Sequence, residues 1–116
     1  MKLVMNLVLG LNRAVLAEGL SYARRCGMDP ALALEVLRAG PAYSKAMDVK
    51  GQKMLREEFE PEARLAQHRK DVELIVASGA EAGARLPLSS LHLELLREAE
   101  RLGYGDKDNS AIIQVF

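Results

Sequence analysis

The stretch that decides the fold is MKLVMNLVLGLNRAVLAEGLSYARRCG, residues 1–27. Apolar residues recur at Leu3, Leu7, Leu11 and Val15, and at Val4 and Val8, with Leu20 and Ala23 continuing the pattern. That spacing predicts one long helix from Met1 to about Cys26. Residues four apart share a helix face, so Lys2 and Asn6 project the same way, one turn apart, at its start. No capping residue precedes the pattern, which opens directly into apolar sequence. A helix that begins without its cap suggests a cut, and the chain is expected to be a piece of a larger protein. Its first eleven residues are apolar nearly all round, as in helices buried on most sides, either in the chain's own core or against something absent from this chain.

The helix should stop at Gly27, a residue suited to the left-handed position after a last turn. Arg24 and Arg25 stand in that turn, favourable at the negative helix end. Asp29 and Pro30 then read as the cap and first residue of a second helix. It carries Leu32, Leu34, Val36 and Leu37 and ends at Gly40-Pro41. A third helix is expected from a Ser44 cap to about Leu55, weakened by Gly51. A loop with Phe59 and Pro61 follows. The fourth helix is predicted over 62–79, with Leu65, Val72, Leu74, Ile75 and Val76 as its apolar positions. The fifth runs from Leu88 to about Leu102, with a row at Leu91, Leu95 and Ala99. Gly103-Tyr104-Gly105 ends it, and a short last helix over 111–115 is capped from within 106–110. No alternating strand of useful length is present, and no repeat. The expectation is a single all-α domain over 1–116 with about six helices and short connections.

Composition narrows the function. The 116 residues suffice for one core. Lys+Arg and Asp+Glu are 16 each, so no basic field draws the chain to nucleic acid. Three Tyr, two Phe and no Trp argue against base-stacking surfaces. A single Cys26 excludes an internal disulfide and suits a reducing, cytoplasmic compartment. Asn6, Asn12 and Arg13 interrupt what would otherwise resemble a signal peptide, and no run of roughly twenty uninterrupted apolar residues marks a membrane span.

Most catalytic constellations are missing. The one G-x-G, Gly103-Tyr104-Gly105, follows a helix and is continued by Asp108 where a dinucleotide fingerprint needs glycine. No Walker loop is present. His68 and Asp71 are three apart, and two ligands do not make a metal site, so no metal is expected. His92 reads as a surface or boundary histidine. The serines form no nucleophile elbow, and Cys26 has no evident base. Two lysines remain. Lys2 in an apolar first turn is either a solvated lysine at a frayed end or a partly desolvated ammonium able to exchange a proton with an alcohol or carbonyl oxygen. In the second case Asn6 would bond the same oxygen or orient the lysine. Lys70-Asp71, within His68-Arg69-Lys70-Asp71, reads from pattern alone as a solvated charged face.

The order of the motifs adds a further reading. Lys2-Leu3-Val4-Met5-Asn6, Ala17-Glu18-Gly19-Leu20 and Gly27-Met28-Asp29 are followed by Lys50-Gly51, Met54-Leu55, Phe59-x-Pro61 and Lys70-Asp71. Leu86-Pro87-Leu88 and Gly105-Asp106-x-Asp108-x-Ser110-Ala111 complete the series. Together they resemble the helical C-terminal domain of the β-hydroxyacid dehydrogenase family. That family includes 3-hydroxyisobutyrate dehydrogenases, tartronate semialdehyde reductases and glyoxylate/succinic semialdehyde reductases. The resemblance spans essentially the whole chain and implies a domain of the 6-phosphogluconate dehydrogenase C-terminal type. It implies that Lys2 is the catalytic acid/base and that Asn6 contacts substrate. It further implies that Lys70 reaches towards an NAD or NADP cofactor, with Asp71 orienting that region.

Asparagine at Asn6 but not at Met5 is closest to the glyoxylate/succinic semialdehyde reductase branch. The chain departs from the pattern at Ala63 and Arg64, where relatives commonly carry a bulky apolar residue. The resemblance places a Rossmann cofactor domain before Lys2, so this chain alone is expected to bind no cofactor and turn over no hydroxyacid or semialdehyde. Homo-oligomers are expected, with no nucleic-acid or membrane partner. The competing reading from a different class is a stand-alone helical dimerisation or interaction module.

Overall fold

A computed structural model describes residues 1–116. It is all-helical: α1 (Lys2–Arg25), α2 (Pro30–Ala39), α3 (Lys45–Arg56), α4 (Leu65–Glu81), α5 (Pro87–Arg101) and a 3-10 helix, η1 (Asn109–Val115). The only bridge between extended segments is an isolated one, Arg64 to Asp108. The central element is α1, which packs against every other one. Its inner face, Ala14, Leu16, Ala17, Leu20 and Ala23, meets Leu34, Met47, Met54, Leu65, Val72, Leu93, Leu96 and Ile112 in one core. By length and composition alone α1 is apolar enough to cross a membrane. Here its apolar inner face forms the centre of the bundle.

Local chemistry explains most boundaries. After α1 the Met28 amide bonds to the Ala23 carbonyl at 2.9 Å and the Gly27 amide to that of Arg24 at 3.0 Å. Gly27 takes φ of 80°, the left-handed geometry this closing pair of bonds requires. Asp29 caps α2 by accepting the Ala31 amide at 3.0 Å, with Pro30 following it. Ser44 stands before α3 but makes no side-chain capping bond. That turn is held instead by Asp48, which accepts from the Tyr43 hydroxyl and, at 3.0 Å, from Arg38. Gly51 has a packing role rather than being only a weak point in α3. A Cβ there would stand 2.7 Å from Cδ2 of the buried Leu34.

Two expectations are corrected. The fourth helix begins at Leu65, three residues later than the apolar pattern indicates. Residues 62 and 63 form a bend and Arg64 is extended, bridged to Asp108. The Asp108 carboxylate accepts the Glu62 and Ala63 amides at 3.0 and 3.2 Å, and the Asn109 amide bonds to the Ala63 carbonyl at 2.8 Å. In α5 the face turned inward is Ser89, His92, Leu93, Leu96 and Ala99. Leu88 and Leu91 are exposed, and His92 is buried rather than at the surface.

Candidate functional site

Beside the amino-terminal half of α1 lies a polar groove of about 230 Å³, walled on the other side by the start of α4. Asn6, Leu9 and Arg13 of α1 line it, with Gln67, His68 and Asp71 of α4. Ala63 and Arg64 form one end, and Asn109 contributes from η1. Positions 6, 9 and 13 are spaced by three and four, so one face of α1 supplies all three. Lys2 continues that face one turn towards the start of the chain.

Of the four residues singled out by the resemblance, Asn6 and Asp71 meet in this groove. Gln67 donates to Asp71 at 3.3 Å. Lys70 is exposed beside it on α4, and Lys2 is exposed in the first turn of α1. Neither lysine enters an ion pair. Of the two readings of Lys2, this chain by itself presents the solvated one, with the side chain exposed in the first turn of α1. The groove is smaller than the roughly 300–1,000 Å³ of sites for drug-sized ligands.

The floor contains groups that pattern reading missed. Gly10, buried in α1, lets two histidine rings approach its backbone. A Cβ there would stand 2.8 Å from Cε1 of His68 and 3.1 Å from Cε1 of His92. The two rings lie 5.4 Å apart. Burial, reinforced by the nearby Arg13 charge, lowers their pKa values to about 3 for His68 and about 4 for His92, so both are neutral. Burial also lowers the Arg13 guanidinium, with Asp108 opposing it. Arg13 Nε and Nη1, His68 Nε2 and Asn109 Oδ1 are buried without hydrogen-bond partners. A lone arginine or histidine in a helical pattern carries no signal of such a position.

Under the groove, Lys50 of α3 donates to both oxygens of Asp108 at 3.0 Å. Asp108 also accepts the Ser110 amide at 3.0 Å and the Ser110 hydroxyl. Burial alone would raise the Asp108 carboxyl. The bonds from Ser110, Lys50 and Glu62 outweigh that and hold it well below the usual carboxylate range. This hub ties α3, residues 62–63 and η1 together, fixing Ala63, Arg64 and Asn109 at the groove. No group of three or more His, Cys, Asp or Glu is placed to hold a metal ion.

The chain is a helical bundle built on one long first helix, with a polar groove beside that helix. The chain belongs to the family whose model is described as NAD-binding of NADP-dependent 3-hydroxyisobutyrate dehydrogenase, which matches residues 1–116. It is similar to 2-hydroxy-3-oxopropionate reductase of Escherichia coli, with 29% identity covering 97% of this chain and 39% of that protein. It is also similar to cytokine-like nuclear factor N-PAC of Aedes aegypti, with 34% identity covering 97% of this chain and 20% of that protein. The crystal structure of 3-hydroxyisobutyrate dehydrogenase from Salmonella typhimurium superimposes with a TM-score of 0.95 at 26% identity, covering 99% of this chain and 40% of that one. The chain thus spans two-fifths or less of the length of these relatives.

Proposed function

We propose that this chain is the C-terminal domain of an NAD(P)-dependent β-hydroxyacid dehydrogenase or semialdehyde reductase, with Lys2 as its proton donor and acceptor. The observation that carries the reading is the shared groove. Asn6 and Asp71, distant in sequence, face one small polar space, with Lys2 one turn above and Lys70 at its side. In this reading the cofactor, bound mainly by a preceding Rossmann domain, supplies or accepts the hydride. As a carbonyl is reduced, negative charge builds on its oxygen. The Lys2 ammonium neutralises that charge and donates the proton, while the Asn6 amide donates a hydrogen bond to the same oxygen. In oxidation the neutral Lys2 amine accepts the alcohol proton. The exposed Lys70 is free to meet the cofactor, and Asp71 orients the α4 side of the groove. Closure of the cofactor domain over the first turn of α1 would provide the desolvation that Lys2 lacks here.

On this reading the 116 residues alone are inactive, because one lysine cannot hold hydride donor and acceptor together. The whole protein is a cytoplasmic homo-oligomer that binds neither nucleic acid nor membrane. The test is Lys2→Ala in the intact gene product. A fall in kcat of about 10²–10⁴-fold with unchanged circular dichroism is expected. Undiminished turnover would leave the stand-alone interaction module as the better reading. A specific observation favours that module as runner-up: an apolar groove between α1 and α2, lined by Tyr22, Met28, Leu32 and Val36, lies open to solvent.

A further inference from the structure

We propose that Lys50 is a positioning residue for the proposed reaction, setting the place of Ala63 and Asn109 in the groove wall through Asp108. The inference rests on the groove being the substrate site. Lys50 lies on α3 and lines none of the groove. No Cα of α3 comes within 8 Å of one in α4. What reaches across is the buried Lys50 ammonium, 3.0 Å from each oxygen of the fully buried Asp108 carboxylate. From there the coupling is short. Oδ1 of Asp108 accepts the Glu62 and Ala63 amides, and Oδ2 accepts the Ser110 amide and hydroxyl. The main chain closes the same joint. The Asp108 amide donates to the Phe59 carbonyl at 2.9 Å, the Asn109 amide to that of Ala63 at 2.8 Å, and the Leu65 amide to that of Lys107 at 2.9 Å.

Asp108 does not need the lysine to be satisfied. A carboxylate has about four lone-pair sites, and the bonds from Glu62, Ala63 and Ser110 already fill them. Nor is a buried ion pair a strong source of stability, because the desolvation of both charges offsets their attraction. What Lys50 adds is direction. The last torsion of an aspartate is broad and roughly two-fold, so its amide and hydroxyl partners alone leave the carboxylate free to tilt between them. An ammonium bound to both oxygens and anchored on α3 holds its plane, with Oδ1 on residues 62–63 and Oδ2 on Ser110. The anchor is firm. Helix α3 packs on α1 and α2, and Gly51, the residue after Lys50, lies against Leu34 with no room for a Cβ. The pin therefore refers one wall of the groove to α1, the helix that carries Lys2 and Asn6. A misplacement on the order of 1 Å can cost about 10²-fold in rate.

The test compares two substitutions on one face of α3 in the intact gene product. Lys50→Met removes the pin and keeps most of the side chain's length. Met54→Ala, one turn on, empties a fully buried core position without touching Asp108. Reduction of succinic semialdehyde by NADH or NADPH is measured well below both melting temperatures, over a range of pH. Lys50→Met is expected to lower kcat by about tenfold or more. The pH dependence of kcat should be unchanged, since Lys2 still exchanges the proton. Met54→Ala is expected to lower the melting temperature at least as much, through the cavity it leaves, and to keep kcat unchanged. Amide hydrogen exchange of the same proteins reads the pin without turnover. The Glu62, Ala63 and Asn109 amides should be protected in the wild type. In Lys50→Met they should exchange about tenfold faster or more, while amides at the centre of α1 change less.

Unprotected wild-type amides at these three positions would overturn the proposal, even if Lys50→Met did not fold. Wild-type kcat in Lys50→Met would do so too, as would an equal loss in Met54→Ala, since either leaves Lys50 a structural residue only. A shifted pH profile would place Lys50 in the proton chemistry itself and also overturn the positioning role. The two readings fail separately. Lys50→Met fully active while Lys2→Ala abolishes turnover refutes the positioning role alone. Lys2→Ala fully active removes the enzyme reading, and with it the reaction that Lys50 would serve, whatever the exchange result.

Discussion

At the scale of single residues, the molecule depends most on Asp108. Its carboxylate is fully buried and bound by Lys50, by two amides of the segment before α4, and by Ser110. Asp108→Asn would leave the Lys50 ammonium buried opposite a neutral amide, and removing one partner of a buried pair costs about 3–5 kcal/mol. A loss of unfolding free energy of that size is expected from urea titration, read from the lowered midpoint at unchanged m. Lys50→Met should cost less, because the Asp108 carboxylate keeps its amide and hydroxyl donors. Equal losses for the two would show that the pair itself, rather than the amide network, dominates. Residues differ in how visible they are before folding. Lys2, Asn6, Lys70 and Asp71 stand out through the order of motifs around them. Arg13, His68 and Asn109 do not, because burial of a polar side chain depends on which helix faces which. Lys50 and Asp108 lie 58 positions apart, and no periodicity links them.

At the scale of elements, the contact of α1 with α4 and α5 turns on Gly10. Gly10→Ala would drive a methyl group into the His68 ring and against His92. Overpacking of this kind costs about 1–3 kcal/mol. His68→Ala in the same chain should recover most of that loss, and a double-mutant cycle in urea measures the coupling. Additive losses would place the strain elsewhere. The same ring pair makes the packing acid-sensitive. Both histidines have pKa values below their unfolded value of about 6.5. The unfolded chain therefore binds more protons between about pH 6.5 and 4, and stability falls as pH drops through that window. The stabilising contribution is intact above pH 6.5. A melting temperature lower at pH 5 than at pH 7 is expected, with a smaller difference in His92→Gln. A flat profile would mean that the histidines are hydrated. Helix ends written in local chemistry, such as Gly27 and Asp29-Pro30, were legible in the sequence. The start of α4 was not, because the segment before it is held by Asp108, far along the chain.

At the scale of the whole molecule, all-α architecture followed from the long apolar period of α1 and the absence of alternating strands, and it does not depend on any one residue. What periodicity did not separate was apolar surface meant for the core from apolar surface meant for a partner. Val4, Met5 and Val8, exposed on α1, lie beside Lys2 and Asn6, where the proposed cofactor domain would close. Tyr22, Met28, Leu32 and Val36 lie at the other end of α1, lining the groove against α2, away from that region. Large contiguous apolar patches on soluble proteins mark interaction sites. With the first patch assigned to the cofactor domain, the groove between α1 and α2 and a second apolar groove at Val15, Leu88 and Leu91 are the faces open to another copy of the chain, and the first of these is the one tested. Light scattering of the intact protein at micromolar concentration should therefore give a dimer or larger assembly. Leu32→Lys combined with Val36→Asp should shift it to the monomer without changing helix content, since both side chains are exposed. A wild-type monomer across that range would remove the oligomer from the proposal. An assembly that survives the double substitution would move the interface to another face of the bundle.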